Sequence, residues 1–99
     1  MRLYQLYDRV ALRVIGSIIS EEHDGPVIRA FHSLLSDPKG GPGQYPLDYD
    51  IVCIGEQDVA SGVVSAYGSA VVVATGRAWL ESQENVRPLE VMEKVGGVS

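Results

Sequence analysis

The chain has 99 residues, with eight Lys/Arg against thirteen Asp/Glu and a formal net charge of −5. That length suits one domain with a single hydrophobic core, and the negative balance repels polyanions, which argues against a strongly cationic nucleic-acid coat. The single cysteine excludes an intramolecular disulfide and a cysteine-based zinc cluster, and no apolar run approaches the roughly 20 residues of a membrane span.

The first residues, "MRLYQLYDRV", alternate and lack the apolar core of a secretion signal, so the expected location is the cytoplasm where the chain is made. Alternation over "RLYQLYD" (2–8) predicts a strand, and the β-branched "RVIGSIIS" (Arg13 to Ser20) predicts a second. The link "RVAL" is short enough for an antiparallel hairpin, although it has no Asn-Gly pair. In "EEHDGPVIRAFHSLLSD", Val27, Ala30, Phe31, Leu34 and Leu35 fall on one stripe of a helix, with Arg29, His32, Ser33 and Ser36 on other faces. Asp24 is the expected N-cap, and Pro26 stands in the first turn, where its missing amide costs nothing.

"DPKGGPGQYP" carries three Gly and three Pro in ten residues and reads as a surface loop. "YDIVCIGEQD" follows as a third strand, apolar on both faces at Ile51 to Ile54 and therefore central. Val63–Tyr67 and Ala70–Ala74 read as strand segments, either separate or one strand bent at Gly68. "RAWLESQ" fits either a short helix or an extended continuation. The expected fold class is α+β: a small, mostly antiparallel sheet with one helix packed on a face, in the order ββαββ. Residues 1–80 form the domain, and 81–99 form a polar tail, mobile or docked as a short helix at Leu89, Val91, Met92 and Val95.

Chemistry is sparse. Asp48 and Asp50 lie at one end of the third strand and Glu56 and Asp58 at the other. Asp50 and Glu56 are then about 20 Å apart at strand rise and cannot act together, so all four read as solvated strand ends. Cys53 sits among apolar neighbours as a buried structural residue. His23 and His32 lack metal-ligand spacing and read as surface residues. "GGPG" lacks the Gly-Lys-Ser/Thr of a phosphate loop. No cofactor, metal or catalytic set is expected.

The one basic and aromatic constellation is "RLYQLYDRVALR". Arg2, Tyr4, Tyr7, Arg9 and Arg13 could form a strand platform that stacks bases and meets phosphates, with Arg29 as a further cation; packing alone is the commoner reason for tyrosines in strands. The uncharged "GVVSAYGSAVVVATG" suits self-association if it lies at a sheet edge.

In their order, these residues resemble a known family: the small nonstructural protein of gokushoviruses, single-stranded DNA phages of the microvirus family. The similarity runs from about Leu3 to Gly62 and is carried by "YDRVA", "IGSIIS", "HDGPVIRAFHSLLSD" and "YDIVCIGEQDVASG". Tyr7, Asp8, Asp24, Arg29, Phe31, Asp37, Tyr49, Ile54, Gly55, Asp58 and Gly62 are this chain's versions of the shared positions. The loop "PKGGPGQYPLD" is longer than in that family, "GS" stands where Gly-Pro is usual, and little after Gly62 matches. The resemblance implies a noncatalytic protein of the infected bacterium's cytoplasm that assists viral DNA replication, in the switch to single-stranded genome synthesis coupled to packaging. Its implied partners are phage or host replication proteins or the procapsid; direct binding of single-stranded DNA is the stronger form of that reading, and a homo-oligomeric interaction module without nucleic-acid binding is the alternative. A homo-dimer is a further expectation; a membrane partner is not.

Overall fold

In the computed structural model, which describes residues 1–84, the two alternating stretches at the start pair as an antiparallel hairpin, β1 (Arg2–Asp8) with β2 (Arg13–Glu21). β3 (Tyr49–Gln57) adds to the other side of β1, and β4 (Val64–Thr75) adds to β3, both antiparallel. The sheet order is therefore β2-β1-β3-β4, which makes β1 and β3 the inner pair. This is why β3 has the least polar centre: Ile51, Val52 and Cys53 are all buried.

Between the hairpins, α1 (Asp24–Leu35) lies on one face of the sheet. Val27, Phe31 and Leu35 are its buried residues and meet Tyr4, Ile51 and Cys53 in one cluster. Each such large apolar side chain contributes about 1.5–3 kcal/mol when buried. The buried stripe is narrower than its sequence suggests. Ala30 is exposed and Leu34 keeps 40% of its surface in water, because they flank a small apolar cleft shared with Leu6 and Ile19 instead of the core.

The start of α1 also differs from expectation. His23 holds the extended N-cap position with no side-chain cap, and Asp24 is the first helical residue. The Asp24 carboxylate is drawn instead to Arg2 and Tyr4 of β1. The Gly- and Pro-rich stretch is not a plain loop: it contains a single α-turn, α2 (Gly41–Gln44), and a 3-10 turn at Pro46–Asp48. Gly43 permits this folding-back, since a Cβ there would lie 1.6 Å from the Asp37 carbonyl oxygen. The element order thus departs from a plain ββαββ string by these two turns and by a further helix after β4.

That helix, α3 (76–84), settles "RAWLESQ". The Thr75 Oγ1 accepts the Ala78 amide at 3.0 Å, capping the helix start, and Trp79 packs against the core cluster. β4 is one strand, but its register with β3 slips between Cys53 and Gly55 and again between Ile51 and Val52. The first slip contains Gly68, where a bend is expected from sequence. The apolar positions from Leu89 to Val95 lie outside the described residues. No helix among the described residues is long and apolar enough to cross a membrane.

The narrowed stripe makes a direct test. Phe31→Ala should cost about 3–5 kcal/mol in urea denaturation. Leu34→Ala, further along the sequence stripe, should cost less than about 1.5 kcal/mol because its side chain is already half in water.

Candidate functional site

The basic and aromatic residues of β1 divide into two groups with different roles. At the start of the strand, Arg2 Nε donates to Tyr4 Oη at 2.9 Å and to Asp24 Oδ1 at 3.0 Å, while the Tyr4 hydroxyl donates to the same Asp24 oxygen. The Arg2 guanidinium also lies 5.7 Å from the centroid of the Tyr4 ring. Tyr4 is fully buried, and that burial, followed by its bond to Asp24, pushes its hydroxyl above the ordinary value. The hydrogen bond to Tyr4 in turn raises the Arg2 pKa. Tyr4 therefore offers no ring face to a base, and Arg2 is held in an ion pair. Both serve the fold, and the strand-long platform expected from sequence is not formed.

At the other end of β1, Tyr7, Arg9 and Arg13 lie around the hairpin turn, but the strand pairing sets Tyr7 on one face of the sheet and Arg13 on the other. Asp8 pairs with Arg13 and Tyr7 with Val14 across the strands. The Arg9 amide donates to the Asp48 carbonyl at 2.7 Å, which fixes the chain at the turn entrance. Arg29 stands apart, on the exposed face of α1.

The turn itself is built like the turn between β3 and β4. In the first, Asp8 Oδ1 accepts the amides of Val10 at 2.9 Å and Ala11 at 3.1 Å. In the second, Asp58 Oδ1 accepts those of Ala60 at 2.9 Å and Ser61 at 3.2 Å. Each turn then needs a left-handed residue four positions after its aspartate. The second supplies Gly62, with φ +78°, and the first supplies Leu12, with φ +58°. For a non-glycine residue that conformation costs about 1–2 kcal/mol. The leucine side chain gives nothing back to the core, because Leu12 is 75% exposed and its neighbour Val10 is 73% exposed. Two arginines thus flank a protruding apolar tip on a strained backbone. The parallel between "DRVALR" and "DVASGV" is the sequence signal for this site, and only the glycine of the second marks the turn type.

Asp50 is not a solvated strand end: it is 8% exposed, because β3 is an inner strand and Asp50 sits between Tyr7 of β1 and Thr75 of β4. Its Oδ2 lies 4.0 Å from Arg9 Nε, and its Oδ1 has no hydrogen-bond partner. Asp58 is engaged in the second turn, and Glu56 is exposed at the far end of β3. Cys53 is fully buried, as expected from its neighbours. Tyr67 has its hydroxyl pushed up to about 12, first by burial and then by Glu56 and Cys53, so it stays protonated at neutral pH. His23 and His32 are both exposed, and the described residues contain no grouping of three or more His, Cys, Asp or Glu suited to a metal.

Asp50 gives a pH signature. Burial raises its carboxyl above the ordinary 3.8, with the Arg9 charge opposing. The folded chain therefore holds this proton more tightly than the unfolded chain does. Stability from Asp50 is full below pH 3.8 and declines as pH rises through the higher folded value. In Asp50→Asn this decline is absent, so the stability of the variant relative to the parent should climb across that window in urea titrations. A difference that stays flat with pH would contradict the assignment.

No curated protein and no solved structure matches the chain. A family model does match, over residues 1–79, and covers both hairpins, α1 and the start of α3. The chain belongs to that bacteriophage family, described as Phage ORF5 protein.

Proposed function

We propose that this phage accessory protein is a noncatalytic factor in viral DNA synthesis, acting in the cytoplasm of the infected bacterium. The finer reading, a gokushovirus protein that assists single-stranded genome synthesis and its coupling to packaging, rests on the order of motifs from Leu3 to Gly62. The observation that carries a contact role is the β1–β2 turn, where Arg9 and Arg13 flank the exposed Val10 and Leu12. Strain retained by an exposed leucine serves no contact inside the fold, which is the pattern of a residue kept for something outside it. Arg13 has no ion pair among the described residues, and the Asp8 carboxylate is occupied by turn amides. The turn is therefore the place where an acidic protein can meet a phosphate backbone.

The second reading is a homo-oligomeric interaction module that binds no nucleic acid and acts on replication or procapsid proteins. It is favoured by the position of β4 at the sheet edge.

Fluorescence anisotropy with a labelled single-stranded oligonucleotide, at low and near-physiological salt, separates the two. Direct binding should weaken with salt, and Arg9→Ala with Arg13→Ala should flatten the slope of log affinity against log salt by about 0.7 for each phosphate that is no longer neutralised. No binding at low salt would exclude DNA as the direct ligand and leave the protein partners. Leu12→Gly adds an independent check: it should raise folding stability by about 1 kcal/mol through relief of the left-handed backbone while weakening the hold on the ligand. A destabilised Leu12→Gly would mean that the leucine serves the fold after all.

A further inference from the structure

The two edges of the sheet are finished differently. On β2, the register against β1 slips by two residues between Ile15 and Ile19, around Gly16 at φ +77°. The Gly16 carbonyl is taken by Gln5 Nε2 at 2.7 Å, and charged Arg13 and Glu21 bound the strand. A bulge, a side chain on a backbone carbonyl and flanking charges are the usual means of blunting an edge. β4 has its own register slips, but no charge and no proline from Val63 to Gly76, a run of fourteen residues in a chain of net charge −5. Two copies of this acidic protein can approach along that run without direct repulsion. The slip between Ile51 and Val52 coincides with Val73 packing against the core, while Val71 and Val72 remain 51% and 55% exposed.

The sequence of this edge is also self-complementary. Ser69 to Thr75 reads S-A-V-V-V-A-T, a near mirror about Val72. In an antiparallel pair centred there, Val72 meets Val72, Val71 meets Val73, Ala70 meets Ala74 and Ser69 meets Thr75. Every pairing matches β-branched with β-branched or small with small, and none opposes like charges. A two-fold contact demands this kind of self-match, because the same patch serves both partners.

From this we infer that two copies of the chain pair antiparallel through their β4 edges, with Val72 facing its counterpart at the two-fold axis, to make one continuous sheet of eight strands. The inference is independent of any nucleic-acid binding.

Sedimentation velocity on the full-length protein over a wide concentration range tests it, using the parent, Val72→Lys, Val72→Glu and an equimolar mixture of the two variants. Circular dichroism establishes that each variant is folded. The parent should show concentration-dependent dimer mass. Each variant alone should be monomeric, since it places two like charges opposite each other at the axis, and the mixture should regain the dimer as heterodimer. A parent that stays monomeric throughout, or variants that dimerise as the parent does, would overturn the pairing. Monomeric variants that fail to recombine would overturn the placement of Val72 at the axis. Should either variant fail to fold, Val72→Cys replaces it: a disulfide-linked dimer under mild oxidation supports the axis, and none overturns it.

Discussion

The hydroxyl of Tyr4 is the constraint on which the arrangement turns. A tyrosine sealed in an apolar core must still satisfy its O–H, and an unmet buried hydroxyl costs about 1–3 kcal/mol. Here the partner is Asp24, with Arg2 donating to both. Since Asp24 is the first residue of α1, that bond fixes where the helix begins over the sheet. Once the start is fixed, Val27, Phe31 and Leu35 descend at four-residue intervals onto Ile51 and Cys53 of the neighbouring strand. The conventional N-cap is given up in exchange: Asp24 abandons the helix amides for β1, and no other side chain caps them.

The same type of residue does a different task in the two hairpin turns, which lie at opposite ends of the sheet. Asp8 and Asp58 each gather two turn amides, and this local geometry closes both hairpins. Because the turns are alike, the difference between Leu12 and Gly62 is informative. Backbone demand at the two positions is equal, so the leucine is not there for the turn. Asp50 reinforces the point. A buried carboxylate oxygen without a partner is also unfavourable, and it lies under the same turn, with the Arg9 charge compensating it. Two departures from the stability optimum within one hairpin's reach are what a contact region tends to carry.

Much of this is legible in the residues. The alternation of Arg2–Asp8, the β-branched second strand and the doubly apolar Ile51–Ile54 are period signals, and they survive because a one-residue slip would turn every buried side chain to water. What is not legible depends on long-range pairing. Asp50 looks like a strand end from its neighbours, and only the presence of β1 and β4 on either side makes it buried. Tyr4 and Tyr7, three apart, fall on opposite faces of β1, and only the packing of α1 decides that Tyr4 is the core one. α2 depends on Gly43 passing against the Asp37 carbonyl, a close approach that Gly- and Pro-rich composition does not announce. Leu12 stays hidden in the sequence because nothing about a leucine signals a left-handed backbone.

Charge distribution joins the two surfaces. The β1–β2 turn lies at the end of the sheet where β4 finishes, as the pairing of Asp8 with Tyr49 and of Asp50 with Thr75 requires. Pairing two copies through β4 would set five interstrand steps between the two β1 strands, about 24 Å at the usual spacing. Antiparallel symmetry would then point the two turns toward opposite ends of the joined sheet. A single tip with two arginines on an acidic body is a weak site for any polyanion, since the whole-molecule field opposes it. Two tips on one rigid sheet change the arithmetic: once one is engaged, the other sees its ligand at high effective concentration, and avidity grows without any added positive charge. An acidic chain can in this way hold a flexible anionic strand, or a repeated partner surface, while still releasing it readily when one tip lets go.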